Sequence, residues 1–224
     1  ADVAHVLQVA RQHQMHLTFR AAGTSLSGQA VSDGILVLLG DGFATYAQDD
    51  GALSVRLGPG MIGAEVNRRL APLGRKIGPD PASIATCKIG GIAANNASGM
   101  CCGTSQNSYR TLRAMRVMLA DGALLDSADP LSVAAFQASH GALLSTLAQL
   151  GRETRANLAL AALIRRKYKI KNTTGYSLNA LVDFDDPIDI LCHLMIGSEG
   201  TLGFISSITY DTVPEHRHKA SALV

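Results

Sequence analysis

An α+β fold is predicted for this chain on three observations. Asp-Gly turns at Asp50-Gly51 and Asp121-Gly122 each sit between short apolar runs, the mark of an antiparallel hairpin. Between about 131 and 166 the composition shifts to an Ala/Leu-rich tract without proline, which suits helix. The 224 residues are 47% apolar, enough to bury a substantial core.

The elements follow in chain order. Val3, Val6, Leu7 and Ala10 recur at helical spacing behind Asp2, a residue suited to N-capping, so a helix opens the chain. "MHLTF" (15–19) reads as a short strand, and "GILVLL" (34–39) as a β-branched run expected to be fully buried. The polar stretch between them, "RAAGTSLSGQA" (20–30), is either a plain turn or a cradle. "ATYAQDDGALSVRLG" (44–58) forms the first hairpin, and residues 64–71 a short helix ended by Pro72 and Gly74. "LRAMRVMLADGALLDS" (112–127) forms the second hairpin. The tract 131–166 holds one or two helices, and a polar link (169–187) leads to another near 187–192. In "HLMIGSEGTLGFISSITYDTV" (193–213) two strand-like runs flank a glycine-rich turn.

Composition narrows the function. Twenty basic against 18 acidic side chains give a net charge of +2, with no long basic run, which argues against nucleic-acid binding. No apolar run approaches the roughly 20 residues that span a bilayer, and no signal peptide is visible, so a cytoplasmic location is expected, with a peripheral inner-membrane association as the variant. Cys87, Cys101, Cys102 and Cys192 lack metal-binding spacing and read as reduced thiols. The seven histidines form no HExxH pair, so no metal site is proposed. Ser25 and Ser27 lack the GxSxG setting of a hydrolase. The chain begins at Ala1 and stops at "EHRHKASALV" as a new element opens, and is expected to be a fragment.

Three stretches concentrate glycine with small polar residues: 20–28, 78–99 and 197–203. Glycine permits positive φ and close approach, and successive bare N–H groups form anion-binding nests that fit a diphosphate. Neither a GxxxxGK[ST] loop nor a dinucleotide fingerprint is present. Arg20 either balances phosphate or pairs with a carboxylate. Asp80, between Pro79 and Pro81, accepts from a ribose or from neighbouring amides. Gly90-Gly91 open a helix and allow close approach, while Asn95 and Asn96 offer amides to a ligand or to the fold. Glu199 holds ligand hydroxyls or caps a turn. Cys101-Cys102 either attach a flavin or are buried as small apolar groups, the commoner outcome. The basic run from Arg165 to Lys171 is a phosphate or acid-substrate patch or a solvated helix end.

In their shared order, these stretches resemble the FAD-binding domain of the vanillyl-alcohol oxidase and p-cresol methylhydroxylase superfamily, in the branch of FAD-linked D-2-hydroxyacid dehydrogenases. The residues that carry the resemblance are 20–30, "GPDPASIATCKIGGIAANNASGMCCGTS" (78–105), "LADG" (119–122), "NTTGYSL" (172–178) and "GSEGTLGFI" (197–205). It implies a two-lobed domain over 1–213, a small α/β lobe (about 1–58) and a larger, mainly antiparallel sheet covered by helices (about 59–213). The helical insertion covers about 131–166, and a substrate cap begins at 214–224. Non-covalent FAD would lie between the lobes.

By the same resemblance Ala22, Gly23, Thr24, Ser25, Leu26 and Gly28 would cradle the pyrophosphate. Pro79, Asp80 and Ser83, with Gly90, Gly91, Ala94, Asn95, Asn96, Ala97, Ser98 and Gly99, would line the flavin and ribityl. Glu199, Gly200, Gly203 and Ile205 would lie near the adenosine. Two departures stand out: Ala21-Ala22 where family loops carry more glycine, and Asn107 where the family has an acid. The implied reaction is oxidation of a D-2-hydroxyacid to a 2-oxoacid by hydride transfer to FAD, with an unspecified electron acceptor. The base and carboxylate anchor are expected in the cap, and any iron–sulfur cluster beyond it. The alternatives are a non-catalytic nucleotide-binding module and the FAD domain of an enzyme with another cap, such as an ether-lipid synthase or sugar-nucleotide reductase.

Overall fold

The computed structural model describes residues 2–99, 101–173, 175–216 and 218. Two sheets organise them. Strands β1 (Leu17–Arg20) and β2 (Ile35–Leu38) form a parallel pair that sets Leu17 opposite Ile35 and Arg20 opposite Leu38. Helix α1 (Asp2–Gln12) precedes them; Asp2, expected as its cap, stands inside the first turn, where its charge still meets the positive end of the helix dipole. β2 is only half-buried and Leu38 is exposed, which corrects the fully buried strand predicted for 34–39. A sheet of two strands has too few neighbours to cover both faces.

The larger sheet has six strands: β3 (Tyr46–Gln48), β4 (Ser54–Leu57), β5 (Arg75–Ile77), β6 (Leu112–Met118), β7 (Leu124–Asp126) and β8 (Phe204–Pro214). Their order is β3-β4-β8-β6-β7, with β5 on the far end of β8, and every pairing is antiparallel. β8 holds the sheet together because its 11 residues are long enough to pair with β4, β5 and β6. Both predicted hairpins form. The first hairpin pairs into this sheet through β4 and β8, so the break between the two sheets falls before residue 46 rather than at 58.

Helices cover the sheet: α2 (Gly63–Leu70), α3 (Ile89–Asn95), α4 (Ser108–Thr111), α5 (Pro130–Ser139), α6 (Gly141–Ala156), α7 (Leu158–Lys167), α8 (Ala180–Asp183) and α9 (Pro187–Met195). The tract read as one or two helices is three. Asp129 Oδ1 accepts from Leu131 N at 3.0 Å to start α5, and Asn157 Oδ1 accepts from Leu160 N at 3.0 Å to start α7. Residues 193–195 end α9 and are not a strand. That helix buries Ile188, Ile190, Leu191, Cys192, His193 and Met195, and a helix buried nearly all round loses the periodicity that separates it from a strand.

One core joins Val55, Leu57, Ile77, Met115, Val117, Ile190, Met195 and Ile208. Tyr210 is fully buried at its centre; its phenol shares a 2.8 Å hydrogen bond with Ser108 Oγ, and burial pushes its pKa up. Residues 219–224, within the stretch assigned to a cap, lie outside the described residues.

Gly99 shows how tightly the backbone packs, because a Cβ there would lie 1.4 Å from the Asp80 carbonyl oxygen. Gly99→Ala is therefore expected to destabilise the fold by at least ~1–3 kcal/mol, the range for overpacking. At Gly141, in the first turn of α6, a Cβ would meet nothing within 4 Å, so Gly141→Ala should leave stability unchanged or raise it by about 0.5–1 kcal/mol. Urea midpoints of the two variants test the contrast.

Candidate functional site

Between the parallel pair and the larger sheet lies a cleft of about 390 Å³. Its spine is α3. At the N-terminal end Ile89 N donates to Met61 O at 2.8 Å and Gly90 N to Pro59 O at 3.0 Å. At the C-terminal end Gly197 N donates to Ala93 O at 3.2 Å and Glu199 N to Ala94 O at 2.9 Å, which seats the loop 197–200 on the last turn. The loop after β1 crosses the first turn, with Ala21 Cβ 3.7 Å from where a Gly91 Cβ would stand. Phe19 of β1 and Phe204 of β8 close the joint beneath, their rings 4.5 Å apart.

Most of the residues selected from sequence meet here. Ala22, Gly23, Thr24, Ser25, Ser83, Gly90, Gly91, Ala94, Asn95, Ala97, Ser98, Glu199, Gly200, Gly203 and Ile205 all line the cleft. Leu26, Gly28, Pro79, Asp80, Asn96 and Gly99 do not line it. Leu26 is fully exposed. Asn96 is a buried left-handed cap of α3 whose Oδ1 accepts from Tyr109 N at 3.4 Å, and Gly99 is bare to clear Asp80. Gly90 clears Pro59 rather than a ligand, since a Cβ would stand 2.8 Å from the Pro59 Cβ. Arg20 packs its guanidinium against Gly23, whose φ is +66°. Cys101 is exposed and Cys102 buried; neither faces the cleft, whereas Cys87 does, its thiol pKa raised by burial.

Lys171, from the basic run weighed as a phosphate patch, lines the cleft, as do Lys88, Thr173, Gln29, Phe19 and Phe204, which sequence reasoning did not select. Lys88 sits inside the stretch 78–99 and was overlooked because the glycines around it drew the reading. Lys88 Nζ donates to Leu39 O at 2.7 Å and Lys171 Nζ to Ser98 O at 2.9 Å. An ammonium carries three N–H bonds, so each keeps two to offer.

The donor set decides what fits. Among the described residues, the main-chain N–H groups of Ala22, Gly23, Thr24, Ser25 and Gly91 have no protein acceptor. Such donors need a partner, from water or from a ligand. Bare N–H groups on a small-residue loop, in a cleft that Lys88 also lines, form a nest suited to the oxygens of a diphosphate. At the other end of α3, Asn95 Nδ2 donates to Glu199 Oε1 at 2.5 Å. This bond brings the stretch expected at the flavin against the one expected at the adenosine, so the two share one wall. Glu199 is unusual twice over: its φ is +54°, and burial raises its carboxyl pKa against the lowering effect of Asn95. Both are local costs kept on one residue of the cleft.

Among the described residues no three of His, Cys, Asp and Glu converge as metal ligands, and no helix is long and apolar enough to cross a membrane. The two-sheet architecture and its donor-lined cleft define a nucleotide-cofactor domain. Residues 1–128 match the family model described as FAD binding domain, and the chain belongs to that family. It is similar to D-2-hydroxyglutarate dehydrogenase of Haemophilus influenzae, at 26% identity over 97% of this chain and 22% of that protein. D-lactate dehydrogenase of Archaeoglobus fulgidus is 26% identical over 96% of this chain and 37% of that protein. Glycolate oxidase subunit GlcD of Escherichia coli is 29% identical over 55% of this chain and 25% of that protein. The fold is shared with 6-hydroxy-D-nicotine oxidase from Arthrobacter nicotinovorans, TM-score 0.59 at 13% identity over 95% of this chain and 34% of that one. Alkyldihydroxyacetonephosphate synthase superposes with a TM-score of 0.57 at 17% identity over 95% of this chain and 30% of that one.

A carboxyl whose pKa is raised in the folded state stabilises the fold below its unfolded pKa and loses that contribution as pH rises through the folded pKa. Because Glu199 is raised, Glu199→Gln should gain stability relative to the unsubstituted chain as pH goes from below the carboxylate range to neutral. Thermal melts of both proteins at acid and neutral pH check the sign; a constant difference would show that Glu199 carries no such shift.

Proposed function

We propose that this chain is the cofactor-binding part of a flavin-dependent oxidoreductase that oxidises a D-2-hydroxyacid to a 2-oxoacid. The single observation that carries the reading is the row of unpartnered amides at Ala22–Ser25 and Gly91, placed in the cleft of a chain that belongs to the FAD binding domain family. FAD supplies the hydride acceptor. The residues present supply binding and orientation. Ala22 to Ser25 hold the pyrophosphate by main-chain N–H groups, so their side chains matter chiefly for being small. Asn95 and Glu199 pair at the other end of α3 and suit the hydroxyls of a ribose or ribityl chain. Residues 1–213 form the cofactor-binding unit in this reading.

The relatives named dehydrogenases are matched over 22% and 37% of their lengths, and they support the substrate class. In this reading the general base and the carboxylate anchor for the substrate come from residues outside this chain. The four free thiols support a reducing compartment such as the cytoplasm.

Titration of the chain with FAD, followed by quenching of flavin fluorescence, tests the reading. Saturable binding that prefers FAD over ADP and NAD is expected; equal binding of all three would favour a general nucleotide module. Anaerobic addition of D-lactate, glycolate or D-2-hydroxyglutarate should leave the bound flavin unbleached, and bleaching would put the base and anchor within these residues. Gly23→Val should weaken FAD binding, because the left-handed φ of +66° and the Arg20 guanidinium both resist a β-branched side chain. Unchanged affinity, measured by calorimetry, would remove the loop assignment.

A further inference from the structure

We infer that Lys88 supplies the counter-charge for the diphosphate in the cleft, an assignment that rests on FAD being the ligand. The residue is held rigidly for such a role. Its backbone forms a bridge with Ile62 and supplies the N-cap position of α3. Its ammonium is anchored on Leu39 O at 2.7 Å, and Leu39 N in turn donates to Arg20 O at 3.0 Å. Lys88 therefore reaches from the start of α3 to the point where the loop of bare amides leaves β1.

Charge and spacing pick out that end of the cleft. Gly91 stands one turn along α3 from Lys88 and lies against Ala21, and Gly91, Ala22–Ser25 and Lys88 line the same cleft. Among the described residues Lys88 has no carboxylate partner within ion-pair distance. The acidic side chain that lines the cleft, Glu199, is held at the opposite end of α3 by Asn95 and by its own amide on Ala94 O. Donors gathered without a protein acceptor repel one another and depend on water for their hydrogen bonds. An anion with several acceptor oxygens relieves both, and a diphosphate carries such oxygens on adjacent phosphorus atoms. Lys171 is anchored on Ser98 O beyond the other end of α3 and has no share in this cluster.

The competing role for Lys88 is a neutral staple between β2 and α3, and three variants separate the two. Lys88→Gln keeps an N–H donor for Leu39 O and loses the charge. Lys88→Arg keeps the charge, and Lys88→Met keeps only the apolar stem. Dissociation constants for FAD, ADP and riboflavin are measured at low and high salt, with the circular dichroism melt of each variant as a check on folding. Lys88→Gln and Lys88→Met are expected to weaken FAD and ADP by about tenfold or more, to flatten the salt dependence, and to leave riboflavin, which has no phosphate, unchanged. Lys88→Arg should restore both the affinity and the salt dependence. Equal loss for FAD and riboflavin, or an unchanged salt dependence, would overturn the assignment and leave the staple. FAD binding by the unsubstituted chain that survives Lys88→Gln intact removes only the role of Lys88, whereas failure of the unsubstituted chain to bind FAD removes the cofactor reading with it.

Discussion

The placement of α3 is the constraint on which the cleft depends. This helix spans only Ile89–Asn95, too short to be stable by itself, and tertiary hydrogen bonds hold both of its ends. Amides of its first turn reach Met61 and Pro59, and carbonyls of its last turn receive Gly197 and Glu199. A short helix normally leaves its terminal groups to water. Here those groups become joints, and each joint recruits a stretch of chain distant in sequence.

Two features follow from that fixed helix. The parallel pair β1–β2 is too small to bury itself, so it leans on the larger sheet through Phe19, Phe43 and Phe204, with the Phe43 and Phe204 rings 5.7 Å apart. The aromatic contact closes the bottom of the joint and leaves the top open as the cleft. Small residues then let the backbones close in from the sides: Gly90 yields to Pro59, and Gly91 faces the loop at Ala21. A Cβ at Gly90 would press on Pro59 at 2.8 Å, whereas one at Gly91 would meet Ala21 at ordinary contact distance.

The two ends of the cleft differ in chemistry. One end, by Lys88 and the loop after β1, is rich in main-chain and ammonium donors. The other, by Asn95, Ser98 and Glu199, mixes donors with acceptors. A ligand that is anionic at one part and rich in hydroxyls at another satisfies both, which is why a dinucleotide such as FAD fits better than a simple phosphate. Glu199, with its positive φ and a carboxyl pKa raised by burial, stands at this second end.

Local chemistry alone was enough to read the two hairpins, the opening helix, the helical tract and the three small-residue stretches, because Asp-Gly turns, helical spacing and missing Cβ atoms act over a few residues. The family resemblance carried by those stretches, rather than local chemistry, selected the lining residues. The partners of each segment were another matter. β8 pairing with β4, β5 and β6, the β3–β4 hairpin joining the larger sheet, and α9 standing where a strand was expected all turn on burial by distant residues. Gly99 and Asn96 were read as ligand contacts because smallness and an amide look alike whether they serve a ligand or the fold; the Asp80 carbonyl and the Tyr109 amide decided them. Lys88 went unread for the opposite reason. A lone lysine carries no local signal, and its place beside bare amides exists only once the two sheets meet.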